Sequence, residues 1–210
     1  MMRLMRMRLM GVRLPRMRMT RSLVPFLAGA VLAGAALLGA ATIPGQETSL
    51  HADPAQTTVE FTLPSLLHTV HGTFQLKRGD LRFDPAGGQA SGELVVDATT
   101  GESGSDGRDK RMHHSILQSA TYPEIVFRPD RVAGKVALEG KSEVSLHGMF
   151  SIHGAAHEID LPLHVQAAGG RYTATGTFKV PYVKWGMKNP STLMLRVSDT
   201  VEITIHTVAR

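Results

Sequence analysis

From Thr58 onward, apolar and polar residues alternate with a period of two. Val59, Phe61 and Leu63 alternate with Thr58, Glu60 and Thr62. Val144, Leu146, Phe150 and Ile152 share one parity, while Ser145, His147, Ser151 and His153 share the other. Ile159, Leu161, Leu163 and Val165 alternate with Glu158, Asp160, Pro162 and His164, and Val201, Ile203 and Ile205 with Glu202, Thr204 and His206. Successive side chains of a strand point to opposite faces, so this spacing predicts strands with one apolar and one wet face. Turn formers punctuate the strands at DPAGG (84–88), RPD (128–130), HGAA (153–156) and AAGG (167–170). Short strands with such punctuation predict a sandwich or a barrel. A closed barrel of about eight strands is just wide enough for side chains or for one small ligand, and closure removes exposed strand edges.

One segment departs from this period. In Arg108–Ser119, Met112 and Ile116 are four apart, as are His113 and Leu117. That spacing predicts a helix, with Asp106 at the N-cap and Asp109 favouring its N-terminus. A helix of about a dozen residues is marginal alone. It is therefore expected to lie across the barrel or plug one end.

The formal net charge of +5 suggests an anionic partner until its location is read. Residues 1–41 hold seven arginines and no acid, which leaves 16 basic and 18 acidic residues, net −2, for residues 42–210. The basic face that nucleic-acid binding requires is thus missing from the expected domain, and nucleic acid is not expected as a partner. Met1–Arg21 is positive throughout, Leu23–Ala41 is an uncharged apolar run, and Gly39 and Ala41 suit a cleavage site. This is the layout of a Sec-type signal peptide cleaved near Ala41, which predicts a periplasmic or secreted protein. Retention as an anchor is the alternative, weakened by Pro25 and the Ala/Gly content. Residues 42–56 read as a polar, flexible lead-in and residues 57–210 as the barrel domain. The absence of cysteine excludes disulfides, thiolate metal sites and cysteine nucleophiles.

The titratable residues give no convincing reactive constellation. His68 and His71 are three apart, so a regular strand sends them to opposite faces. His113 and His114 are adjacent, about 100° apart on a helix. His147, His153, His157 and His164 fall mostly on the polar face near one hairpin and read as solvated, with no metal site assigned; a weak metal patch, in a histidine-dependent metal-binding protein, is the less favoured alternative. Ser151 and His153 share a parity, but no nucleophile-elbow context surrounds them. The chain is expected not to be an enzyme. The inward set of Phe, Leu, Val and Ile can solvate a hydrocarbon, at about 0.8 kcal/mol per buried CH2, or simply fill the interior as a core. The residue pattern leaves both open.

Four segments, in order, carry a likeness. TVEFTLPSLLHTVHGTFQLKRGDLRFDP holds Phe61, His68, Gly72, Phe74, Phe83, Asp84 and Pro85. GRDKRMHHSILQSATYPEIVF holds Arg108, Asp109, Tyr122, Pro123, Ile125 and Phe127. LHGMFSIHGAAHEIDLPL and PYVKWGMKNPSTLMLRVSDTVEITI follow. Together, over residues 57–208, they resemble the YceI-like family of polyisoprenoid-binding exported proteins. Ala120 stands where that family often has an aromatic residue.

The resemblance implies an all-β fold, an antiparallel closed barrel like a lipocalin, with one short helix near one end. It implies an apolar tunnel that takes the tail of an isoprenoid lipid such as a quinone or polyprenyl chain, with no other cofactor. The residues expected to line the tunnel are Phe61, Leu63, His68, Phe74, Leu76, Phe83, Phe127, Val144, Leu146, Phe150, Ile152, Ile159, Leu161, Phe178, Tyr182, Trp185, Leu195 and Ile203. Arg108 and Asp109 are expected at a polar rim. No residue is assigned a catalytic role. Transient membrane contact and a homodimer are left open as further partners.

Overall fold

Alternating apolar and polar residues build nine antiparallel strands among residues 47–210, the part of the chain that the computed structural model describes. They are β1 (Thr48–His51), β2 (Thr58–Leu63), β3 (Val70–Phe83), β4 (Gly88–Glu102), β5 (Glu124–Ala133), β6 (Gly140–Ile152), β7 (Ala155–Ala168), β8 (Arg171–Val180) and β9 (Val201–Ala209). The order is β1-β3-β2-β9-β8-β7-β6-β5-β4, and β3 also pairs with β4. Strands β2 to β9 therefore close an eight-membered ring, the expected antiparallel barrel. The expected signal peptide (1–41) lies outside the described residues, as do residues 42–46 of the expected lead-in.

The rest of that lead-in is not flexible. Thr48–His51 pairs with Phe83–Asp80 of β3, just below the stretch of β3 that holds β2. Ala52 bridges Ala209 of β9. Strands β1 and β2 thus act as one barrel strand, interrupted by a 3-10 turn at Pro54–Gln56. Asp53 caps that turn by accepting the Ala55 N–H at 2.9 Å. The segment misleads because four strand residues precede an Asp-Pro pair, and the turn signal dominates so short a stretch.

Two other local expectations change. RPD (128–130) is not a turn. Strand β5 runs through it, and the break in pattern is a register shift between Pro129 and Arg131. Proline is tolerated at bulges within a sheet and is also a turn former, so it marks both. The helix begins at Asp106, with Ser105 rather than Asp106 in the N-cap position. The HGAA expectation holds: His153 and Gly154, with φ of 52° and 78°, make the two-residue link between Ile152 and Ala155. Two consecutive positive φ values are what a type I′ hairpin demands, and they match the twist of the strands. Gly72 is required for a different reason. A Cβ there would meet the Phe61 ring at 2.3 Å and the Glu102 carbonyl at 2.2 Å.

The inward face holds the core, including Phe61, Phe74, Phe127, Phe150, Leu161 and Ile205. Outward positions such as Glu158, Asp160 and Gln166 of β7 are exposed. A barrel that faced lipid would show the reverse pattern. At the lower end lie the turns 84–87, 134–139 and 169–170; at the upper end lie the loops 64–69, 103–123 and 181–200.

Helix α1 (Asp106–Arg111) sits at this upper end and continues as a π-helical turn, Met112–Leu117. His113 ties that turn down. Its Nε2 lies 2.8 Å from the Gly101 carbonyl, which can only accept, so Nε2 donates there, and Nδ1 is hydrogen-bonded to Ser119 Oγ at 2.9 Å.

Candidate functional site

The interior is filled in its lower half and open in its upper half. A cavity of about 480 Å³ occupies the upper half. That lies within the roughly 300–1,000 Å³ typical of small-ligand pockets. A second, much smaller space of about 80 Å³ lies below. Leu94, Leu161 and Ile205 border both and form the floor between them.

The lining divides cleanly by source. Every strand residue on the cavity wall is apolar, among them Val59, Phe61, Phe74, Phe127, Phe150, Ile159, Phe178 and Ile203. Phe61 and Phe74 pack with ring centroids 5.5 Å apart, and Phe150 and Phe178 meet edge to face at 5.6 Å. The polar members, Ser65, His68, Ser103, Arg108, Arg111 and Tyr182, all come from the upper loops and the helix. An apolar bowl with a polar rim can hold a hydrocarbon tail and leave a more polar end near water.

The rim is itself ordered by hydrogen bonds. Arg108 Nε and Nη2 donate to the Ser103 hydroxyl and carbonyl, both at 2.7 Å. The Ser103 hydroxyl and its N–H, the latter at 3.0 Å, donate to the Asp109 carboxylate. Partial burial would raise the Asp109 pKa, but these bonds from Ser103, with help from the Ser105 N–H and Arg108, hold it below the usual carboxylate range. Tyr182 turns its ring to the cavity and donates its hydroxyl to the Ser198 carbonyl at 2.7 Å. Burial, reinforced by Asp199, pushes that phenol up to about 12, so it stays a neutral donor.

Of the residues expected to line the tunnel, thirteen do: Phe61, Leu63, His68, Phe74, Phe127, Phe150, Ile152, Ile159, Leu161, Phe178, Tyr182, Leu195 and Ile203. Arg108 stands at the rim as expected. Phe83, Val144 and Leu146 point inward but sit in the filled lower half. Leu76 is buried at the register shift between Leu76 and Arg78 and does not reach the cavity. Trp185 lies behind the wall. It stacks on His157 at 4.0 Å and 3°, and its ring is 5.9 Å from Phe150. Asp109 faces Ser103 rather than the opening.

Sequence reasoning missed the contribution of the helix. Met112, Ile116 and Leu117 all line the cavity, and the i, i+4 spacing of Met112 and Ile116 was the available signal. Arg111, one helical turn beyond Arg108, joins it at the rim. Val96, Ile125 and Val180 also line the wall.

The histidines are mostly elsewhere. Burial lowers the pKa of His157, so the ring that stacks on Trp185 is neutral at neutral pH. His147 is clamped on the outer face between Asp130 at 2.7 Å and Glu158 at 2.8 Å. Its pKa is raised, chiefly by the hydrogen bond to Asp130 and then by that to Glu158. A raised pKa stabilises the fold fully below about pH 6.5, the value for an unperturbed histidine, and the gain disappears as pH climbs through the raised value. The melting temperature of the native protein should therefore exceed that of His147→Gln most below about pH 6.5, and the gap should close as pH rises through the raised value. Thermal melts of both proteins across that range check this. Among the described residues no group of three or more His, Asp or Glu side chains is placed to hold a metal ion.

The closed barrel, its apolar upper cavity and its capping helix define a lipocalin-like fold. The chain belongs to the YceI-like domain family, whose model matches residues 50–209. That match begins inside β1, in keeping with the barrel's starting there.

Two solved structures share the fold. BcnA of Burkholderia cenocepacia is 20% identical, with a TM-score of 0.64 over 76% of this chain and 99% of its own. A polyisoprenoid binding domain from Saccharophagus degradans, implicated in plant cell wall breakdown, is 18% identical, with a TM-score of 0.58 over 77% of this chain and 97% of its own. No curated protein sequence matches the chain.

Proposed function

We propose that this protein is an exported carrier that holds the tail of an isoprenoid lipid, a quinone or a polyprenyl chain, in the upper cavity. The observation that carries the reading is the open, wholly apolar wall above a filled lower half. A barrel serving only as a structural module would be filled throughout, since interiors pack to crystal-like density. Membership of the YceI-like family and the likeness to a polyisoprenoid binding domain support the choice of ligand.

The tail enters past the rim and is desolvated among Phe61, Phe74, Phe127, Phe150 and Phe178. The head group remains near Arg108, Arg111 and Tyr182. No catalytic step is required, and no cofactor beyond the lipid. Export follows the signal peptide, with cleavage near Ala41, and delivers the carrier to the periplasm or beyond.

Trp185 is the only tryptophan, and it lies against Phe150 of the cavity wall. Titration with a short-chain quinone should therefore quench its fluorescence saturably at one equivalent, and a polyprenol of similar length should reverse the quench by competition. Absence of saturable quenching by the quinone, together with no polyprenol binding by calorimetry, would contradict the proposal.

A further inference from the structure

Most of the large apolar side chains that the described residues leave exposed stand beside the cavity mouth. Leu66 and Leu67 are 71% and 74% exposed, and Leu193 and Met194 are 98% and 87% exposed. They ride on two loops stitched together by backbone. The Leu66 N–H donates to the Arg196 carbonyl and the Ser198 N–H to the Pro64 carbonyl, each at 2.9 Å. Ser65 and Val197 form a β-bridge between the same loops.

Leu193 and Met194 are the two central residues of a turn closed by the Thr192 N–H and the Leu195 carbonyl at 2.8 Å. Turn centres in water are normally Gly, Asn, Asp or Ser. Two large apolar residues there, fixed by hydrogen bonds and pointing away from the barrel, need an apolar partner.

The same loops reach the cavity. Ser65 and His68 of the first, and Leu195 and Val197 of the second, are part of its lining. The apolar tip and the mouth are therefore one surface.

Its charge identifies the partner. Residues 61–79 and 181–198 contain no acid. The second stretch carries Lys184, Lys188 and Arg196, all exposed, and Arg108 and Arg111 stand exposed on the adjoining helix. The nearest acids, Glu102, Asp106, Asp109, Asp199 and Glu202, flank these stretches, and none lies within either of them. The remainder of the barrel is not basic, since residues 42–210 sum to −2.

We infer that this tip is a membrane-docking surface, which seats the cavity mouth on a bilayer bearing anionic head groups. Leu66, Leu67, Leu193 and Met194 enter the boundary of the acyl region, and the cations stay in the head-group layer. An isoprenoid tail then passes between bilayer and barrel without crossing water. The inference rests on the carrier reading for its purpose, but docking and ligand binding are measured separately.

The test is flotation of a protein comprising residues 42–210, the compact unit that holds all nine strands of the described residues. Vesicles of equal parts phosphatidylglycerol and phosphatidylethanolamine are compared with vesicles of phosphatidylcholine alone. Binding to the anionic vesicles is expected, with a fall as salt rises. Leu193→Glu/Met194→Glu and Leu66→Glu/Leu67→Glu should each weaken it about tenfold or more, because each places two charges where the surface meets lipid. All four positions are exposed, so melting temperature and quinone titration should not change.

Failure of the native protein to bind anionic vesicles, or equal binding by the glutamate variants, would overturn the inference. Concentration-dependent self-association that Leu193→Glu/Met194→Glu abolishes, without vesicle binding, would overturn it in favour of a second copy. If quinone binds but vesicles do not, docking fails and the carrier stands. If vesicles bind but quinone and polyprenol do not, docking stands and the carrier fails.

Discussion

Replacing Phe83 by Ala should destabilise the ligand-free barrel by about 3–5 kcal/mol, whereas replacing Phe178 by Ala should cost no more than about half of that. Phe83 is 7% exposed and lies in the filled lower half among residues such as Leu81, Val132, Val144 and Leu146. Truncating it adds a ring-sized void to a space of only about 80 Å³, among otherwise packed neighbours. Phe178 is only half-buried and already borders an open cavity, so its truncation enlarges a space that exists.

The two variants should also separate by function. Phe83→Ala keeps its full capacity for lipid, while Phe178→Ala binds lipid more weakly through loss of wall contacts. Urea unfolding at a common m value measures the first difference, and the quench titration measures the second. Equal destabilisation would mean that the upper half is as well filled as the lower.

The complementary experiment fills the cavity. Val96 on β4 and Ile203 on β9 both line it, and Ile203 pairs with Phe61 on one side and Phe178 on the other. Val96→Trp combined with Ile203→Trp places two indoles in open space rather than against packed neighbours. Folding should therefore survive with little loss, unlike overpacking of a full core. If the added bulk excludes about four CH2 groups of tail, at about 0.8 kcal/mol each, affinity falls by roughly 100-fold or more. Calorimetry with a polyprenol gives the affinity, and a thermal melt shows that the barrel is intact. Unchanged affinity in a folded double variant would place the ligand elsewhere.

The alternation of β2, β6, β7 and β9 was legible in the sequence because side-chain direction follows from parity alone. That is why Phe61, Phe150, Ile159 and Ile203 were placed inside correctly. Parity carries no information about height along the barrel axis. Phe83, Val144 and Leu146 have the same inward sense, yet they fall near the lower ends of β3 and β6 and belong to the filled half. Height depends on how each strand is staggered against its neighbours, which is a property of pairing across the chain.

Local irregularity hid the rest. The resemblance puts Leu76 in the tunnel, but a register shift beside it keeps it from the cavity. Pro129 reads as a turn because proline occurs both in turns and at bulges. The family resemblance implies that Trp185 is a contact, but stacking on His157 sets it behind the wall. The polar rim was half legible. Arg108 reached it, while Asp109 was claimed by the N–H and hydroxyl of Ser103, a loop partner that no spacing rule reveals.

The central claim is that the upper cavity holds an isoprenoid lipid, and native mass spectrometry of the exported protein tests it most directly. The organic extract of the same preparation is analysed beside it. The account predicts a chain beginning near Thr42 with one equivalent of bound mass, which the extract identifies as a quinone or polyprenyl compound, and loss of that adduct in the Val96→Trp/Ile203→Trp variant. A ligand-free mass that neither quinones nor polyprenols shift on titration would contradict it.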